Sequence, residues 1–252
     1  MTIEHVKTGL KGLDDMLNGG FPKGRAILLS GACGTGKTIL SMQYIYNGIM
    51  NYAEPGVYVT FDEVPDKIRQ DMLEFGWDLK ELEKNNLLAL VDATSARVGT
   101  TSDEVHALSP NQLDLDRLLV DILRIANKIG AKRLVIDSIP AMAFQLDKES
   151  EIRRAILKMV YVLSKKDLTT IMTSEIREQS SGLGLPAQFS KFEVEEYVAD
   201  GVIIMSFLGT GSTATRTIYV RKMRGTKHDA DIHPLEITPQ GIVVKRIEDA
   251  FK

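Results

Sequence analysis

The sequence predicts an α/β chain: a mostly parallel central sheet, helices on its flanks, and an antiparallel β extension at the C-terminal end. Three observations predict it. A glycine-rich octapeptide, Gly31-Ala32-Cys33-Gly34-Thr35-Gly36-Lys37-Thr38, lies between a strand-like run and a helix-like run. Short β-branched runs then alternate with segments of three- and four-residue apolar periodicity. After residue 200 the chain turns to consecutive strand-like runs joined by turn residues.

Residues 1–24 read as a lead-in, punctuated by glycines, with Leu10, Leu13, Met16 and Leu17 on a short helical face. Arg25 to Ser30 is the first core strand. Lys37 to Met50 is a helix, with Ile39, Met42, Ile45 and Ile49 in phase. Val57 to Phe61 is the next strand, closing on Asp62-Glu63. Pro65 then opens a helix through Glu74, since proline suits the first helical position. Leu87 to Val91 is a buried-strand candidate. Residues 93–112 carry few periodic apolar positions and read as a long surface excursion. Leu113 to Ile129 is a strongly amphipathic helix stopped by Gly130.

Arg133 to Ser138 is a strand that ends in an acid, Asp137. Glu149 to Leu163 is a helix, and Leu168 to Thr173 a strand ending in Ser174-Glu175. Residues 176–192 form a second loop. Asp200 to Leu208 and Thr215 to Arg224 make a hairpin around Gly209–Ser212, and short strands near 234–238 and 241–245 finish the chain. One domain is expected over 1–252: a lead-in (1–24), a core (25–208) and a β extension (209–252).

Composition narrows the function. With 44% hydrophobic residues a full core can form, and 26% charged residues with a net charge of −3 describe an ordinary soluble protein. That balance argues against non-specific nucleic-acid binding. One cysteine excludes an internal disulfide and a cysteine-built zinc site, and it suits a reducing cytoplasm. His5, His106, His228 and His233 have no metal-ligand spacing. The first ten residues lack the apolar core of a secretion signal, and no run approaches the ~18 apolar residues of a membrane span. A cytoplasmic location is expected.

The octapeptide fits G-x-x-x-x-G-K-[ST] in the strand–loop–helix setting that its chemistry requires. Gly31, Gly34 and Gly36 let the backbone wrap an anion, with Cys33 and Thr35 between them, and the helix N-terminus adds unpaired N–H groups. Lys37 would neutralise the β- and γ-phosphates of ATP or ADP, and Thr38 would bind Mg²⁺. Asp137 stands where a second acid can hold the metal through water; its bland alternative is a cap on the next segment. Asp62 and Glu63 can face the same crevice. Hydrolysis needs a carboxylate to orient or deprotonate water, and the longer Glu63 is the better base, with Asp62 assisting or capping the next helix. Cys33 is either a redox-sensitive position or simply a tolerated small residue. From Ser212 to His228 there is no acid, while Arg216, Arg221, Lys222, Arg224 and Lys227 are all present. This basic stretch reads as a cationic finger on phosphates, a nucleic-acid contact or a solvated face, and spacing alone does not choose.

The ordered set LNGGFPKGRAILLSGACGTGKT, EPGVYVTFDEVP, FGWDL, RLVIDS, TSE, VEEYVADGVII and KMRGTKHD resembles the RecA superfamily, and within it the single-domain archaeal relatives of the circadian clock ATPase KaiC. The resemblance spans almost the whole chain. It implies a RecA-like P-loop fold and ATP bound between the subunits of a ring, usually a hexamer. It implies that Asp62 and Glu63 are catalytic; the family pattern there is usually Glu-Glu, so Asp62 departs from it. It implies that Lys222, Met223, Arg224, Thr226 and His228 meet the ATP of a neighbouring subunit, which favours the finger reading. KaiC's autokinase half carries Ser-Thr hydroxyls where this chain has Glu196-Tyr197, as in the ATPase-type half. A carboxylate cannot keep a phosphoryl group, so autophosphorylation at that point is not expected.

The expected activity is therefore Mg²⁺-dependent ATP hydrolysis by a homo-oligomeric ring in regulation or signalling, with any protein partner unidentified. Three rivals stand beside it. One is a recombinase-like ATPase on single-stranded DNA, with loops 139–148 and 176–192 as contacts, although Lys148, Arg177 and Lys191 are their only basic residues. Another is a nucleotide-gated binding module, against which the Asp62/Glu63 pair argues. The last is a serine/threonine autokinase, or one acting on Tyr197.

Overall fold

Strands that are apolar along their whole length need cover on both faces, and this chain supplies it. The computed structural model describes residues 3–108, 115–143, 146, 148–176, 190–192, 194–208 and 215–245. The elements run β1 (His5–Val6), α1 (Leu13–Met16), β2 (Phe21–Pro22), β3 (Ala26–Gly31), α2 (Lys37–Tyr52), β4 (Gly56–Thr60), α3 (Pro65–Leu73), α4 (Leu79–Lys84), β5 (Leu88–Asp92) and α5 (Thr94–Val98). They continue with α6 (Leu115–Ile129), β6 (Arg133–Asp137), α7 (Ile139–Met142), α8 (Glu149–Ser164), β7 (Thr169–Glu175), α9 (Glu195–Val198), β8 (Gly201–Leu208), β9 (Thr215–Met223), β10 (His233–Thr238) and β11 (Gly241–Val244).

Nine strands form one sheet in the order β11-β10-β9-β8-β3-β7-β6-β4-β5. From β8 to β5 all neighbours are parallel, whereas β9, β10 and β11 are added antiparallel. Alternate side chains of each parallel strand go to opposite faces. Leu28, Val59, Val91 and Ile136 pack with Leu119 and Ile122 of α6 and Ile156 and Met159 of α8. Ile27, Leu29, Tyr58 and Val135 pack with Leu40, Tyr44 and Ile45 of α2 and with Leu13 and Leu17 of the lead-in. Trp77 is core, stacked at 5.1 Å on Tyr46 and 5.0 Å on Phe75. Among the described residues no helix is long and apolar enough to cross a membrane.

The expected fold is the observed one, with element ends displaced by a residue or two. Two segments differ: the expected loop 139–148 opens with α7, which buries Ile139, Ala141 and Met142, and the other lies after β5. Residues 93–112 are not wholly a surface excursion: α5 buries Thr94, Ser95 and Ala96, and Leu108 is in the core. The segment returns to β5, with Asp92 N donating to His106 O (2.8 Å) and Leu108 N to Asp92 O (2.9 Å). Five residues are too short for a helical period to register in the sequence. α4 was hidden for the same reason; its signal is Asp78, whose carboxylate caps Glu81 N at 3.2 Å. Residues 109–112, Arg177 with the rest of loop 177–189, and the Gly209–Ser212 turn lie outside the described residues.

Candidate nucleotide site

Parallel strands deliver their C-terminal ends to one edge of the sheet, here called the upper edge. β3 ends there at Gly31, β4 at Thr60, β6 at Asp137 and β7 at Glu175. The loop after β3 turns tightly. Gly36 has φ +102°, a conformation that only glycine takes without strain, and a Cβ on Gly31 would lie 2.6 Å from Met205 O of β8. Thr35 Oγ1 donates to Ala32 O at 2.9 Å and braces the turn. α2 then starts after Gly36 with no side-chain cap, so its first-turn N–H groups face the loop. Lys37 reaches back beneath the loop and donates to Gly31 O and Ala32 O, both at 2.9 Å. Burial lowers its pKa, and Glu175 and Asp137 oppose that shift. Cys33 is exposed on the loop.

Asp137 is the centre of a polar cluster. Its Oδ2 accepts from Thr38 Oγ1 at 3.2 Å and from the Tyr58 hydroxyl at 2.5 Å, and its Oδ1 accepts from Thr173 Oγ1 at 2.5 Å. Burial, with Asp137 next, pushes the Tyr58 hydroxyl well above its ordinary pKa, so it remains a donor. A hydroxyl and a carboxylate this close offer the all-oxygen set that suits a hard divalent cation, so Thr38 and Asp137 fit Mg²⁺.

Asp62 and Glu63 follow β4 and differ in surroundings. Asp62 is clamped: Arg97 of α5 approaches Oδ1 at 2.6 Å, and Ser138 Oγ donates to Oδ2 at 2.6 Å. Arg97 also donates to Phe61 O at 2.9 Å. Glu63 is fixed through its backbone, where Thr60 Oγ1 accepts from Glu63 N (3.2 Å) and donates to Glu63 O (2.6 Å). Burial raises the Glu63 carboxyl pKa, Asp71 and Asp137 add to the rise, and Lys67 opposes it. Among the described residues the Glu63 hydrogen bonds are those of its backbone, so its carboxylate is the more available of the two.

The basic strand divides in two. Arg216, at the upper end of β9, donates from Nε to Gly34 O of the phosphate loop at 3.1 Å. Lys222, Met223 and Arg224 are at the other edge. Gly31 pairs with Met205, whereas Met223 pairs with Gly201, which itself pairs with Ile27. Four strand residues separate the two levels, about 13 Å at the usual rise. There Lys222 Nζ donates to Glu196 O (3.0 Å) and Ala199 O (2.7 Å), and Arg224 to Tyr197 O (3.2 Å). β9 stops at Met223, so Arg224 has left the strand, yet both cations gather on α9. The Met223 side chain is buried, so what it presents outward is backbone. Thr226 and His228 are half-buried beyond the turn.

The sequence thus named Lys37, Thr38, Asp137, Asp62 and Glu63, and the fold brings them together. It did not name Tyr58, Thr173, Ser138 or Arg97. A hydroxyl inside the apolar run 56–59 was the available signal for Tyr58, whereas Thr173 lies among the other hydroxyls of β7 and does not stand out.

Comparison with known proteins agrees with this geometry. A family model described as "ATPase: KaiC" matches residues 6–249. The chain is 38% identical over 243 residues to the UPF0273 protein of Aeropyrum pernix, covering 96% of this chain and 94% of that protein. It is 37% identical to the circadian clock oscillator protein KaiC of Synechococcus elongatus over 240 residues, which is 95% of this chain and 44% of KaiC, so it spans less than half of that protein. The crystal structure of a KaiC-like protein from Pyrococcus horikoshii superposes with a TM-score of 0.81 at 38% identity, covering 97% of this chain and all of that one. The phosphate loop, the acid-ended parallel strands and these matches make one case: the chain belongs to the KaiC ATPase family of the RecA-like P-loop superfamily.

Proposed function

We propose that this protein is a Mg²⁺-dependent ATPase that works as a homo-oligomeric ring, a hexamer by family resemblance, with each ATP held between two subunits. One observation carries the reading. The phosphate loop, Asp137 and Glu63 occupy the upper edge of the sheet, while Lys222 and Arg224 of the same chain sit three or more residues down the strands. At that level they lie about 10 Å or more below their own loop, which supports a role on the ATP of another copy.

In this mechanism the loop backbone and Lys37 bind the β- and γ-phosphates. Thr38 and Asp137 would hold Mg²⁺, which would supply charge neutralisation at the phosphates. Tyr58 and Thr173 keep Asp137 aimed. Glu63 orients water and accepts its proton; its raised pKa brings it nearer the solution pH, where a base is most effective. Asp62 is an anchor rather than a second base, because both its oxygens are already engaged. Lys222 and Arg224 of the neighbour stabilise charge on the γ-phosphate, with Met223, Thr226 and His228 completing that side. Turnover in the ring serves a regulatory or signalling role.

The test is subunit mixing. Glu63→Gln and Arg224→Ala should each be nearly inactive. Mixed under conditions of verified exchange, they should regain ATP turnover, because some interfaces pair an intact Glu63 with an intact Arg224. Absence of recovery would place the finger in cis or remove it from the reaction.

A further inference from the structure

Glu195 is a carboxylate for which the mechanism above has no use, and it is fully buried. A buried charge is costly unless hydrogen-bonded, so what it bonds fixes where it sits. Its Oε1 accepts from Ser174 Oγ at 3.3 Å, and its two oxygens accept from Phe192 N at 3.4 and 3.2 Å. Ser174 is the penultimate residue of β7, beside Ser30 of β3 and one residue before Glu175, which pairs with Gly31 of the phosphate loop. Glu195 is also the first residue of α9, and the carbonyls of α9 and of Ala199 just after it carry the cations: Glu196 O and Ala199 O take Lys222, and Tyr197 O takes Arg224. The backbone completes the attachment, with Arg224 N donating to Asp200 O at 2.9 Å. The bond to Phe192 is local and would serve any turn. The bond to Ser174 spans 21 residues and ties α9 to the strand end beside the phosphate loop.

We infer that Glu195 is a positioning residue for the cationic finger: it pins α9 to the upper end of β7, and α9 in turn sets where Lys222 and Arg224 stand. The inference rests on the shared-site reading above. Glu195 acts only through the finger, so its loss should behave as a finger defect and leave the base side of the same subunit intact.

Mixing separates these outcomes. Glu195→Gln keeps the shape and removes the charge. Its rings should assemble and turn over ATP about tenfold more slowly, the scale of a slightly misplaced catalytic group. Mixed with Glu63→Gln it should recover, because interfaces form between its own intact Glu63 and the partner's intact finger. Mixed with Arg224→Ala it should not, because both subunits then carry damaged fingers. Ser174→Ala, which removes the donor and leaves Glu195 in place, should reproduce the pattern with a smaller loss, and it stands in if Glu195→Gln fails to fold. Recovery with Arg224→Ala but not with Glu63→Gln would put Glu195 on the base side and overturn the inference. So would recovery with neither, or unchanged turnover in both variants. The Glu63→Gln with Arg224→Ala mixture is the control: if it fails to recover, the shared site itself falls and the role of Glu195 falls with it.

Discussion

At the upper edge of the sheet the acids are held by side chains; toward the lower edge the two cations of the basic strand rest mainly on backbone. Asp137 is gripped by Thr38, Tyr58 and Thr173, and Asp62 by Arg97 and Ser138. Lys222 and Arg224 rest on the carbonyls of Glu196, Tyr197 and Ala199, with Arg224 also 3.8 Å from the Asp200 carboxylate. A side-chain grip is specific to residue type, so it fixes one geometry and is sensitive to single substitutions. A carbonyl grip survives most substitutions in α9, and Arg224 can be released without leaving a buried charge unpaired, because its side chain is half exposed and Asp200 keeps Arg25 at 2.8 Å. The first arrangement suits groups that act within their own subunit. The second suits groups that must be available to another.

The largest expected effect is at the upper edge. Glu63→Gln should lower ATP turnover by about 10²- to 10⁴-fold, the range for loss of a general base, with ATP binding retained through Lys37 and Thr38. Retained turnover would transfer the base role elsewhere. Arg97→Ala should follow, lowering kcat about tenfold with little change in KM, since Arg97 holds the turn that carries Glu63 and is proposed to touch no substrate. Arg97→Lys should recover part of the loss. Asp62→Asn combined with Arg97→Ala should cost little more than the worse single change, because the two act as one clamp. Additive losses would mean that Arg97 works by another route.

A smaller effect tests the electrostatics of Glu63. The base must be ionised, so kcat/KM should fall as the pH falls through its pKa. That acid limb should lie above the ordinary 4.5 of a glutamate, since burial first and then Asp71 and Asp137 raise it. Asp71→Asn removes one of those negative charges and should move the limb to lower pH while leaving the neutral-pH plateau unchanged. The shift should shrink with added salt, because Asp71 is exposed. An unmoved limb at low salt would assign it to a different group.

The same contrast explains what could be read in advance. The phosphate loop is legible because its chemistry demands glycine, lysine and a hydroxyl at fixed offsets along one stretch of chain. Asp137 is legible as an acid closing an apolar strand. Arg97 is not, because it acts across 35 residues from a five-residue helix that leaves no periodic trace. The basic strand was visible as a run of charge, yet its division was not. Which cations belong to the local loop depends on the antiparallel register of β8 and β9, and that places Arg216 at the upper edge and Arg224 at the lower.

The smallest expected effect is at Tyr197. Its side chain is 70% exposed, and Arg224 uses only its carbonyl. If the lower edge is held by backbone, Tyr197→Phe should leave turnover within about twofold of the parent, as expected for a surface substitution that removes no buried bond. The comparison is with Arg97→Ala, which removes a side-chain grip. The same variant addresses transfer of the γ-phosphate to protein. With ATP labelled at that phosphate, parent and variant should release label to water alike and retain none. Label retained by the parent and lost in Tyr197→Phe would make the exposed hydroxyl an acceptor, and α9 would then be a modified surface rather than a rest for the finger.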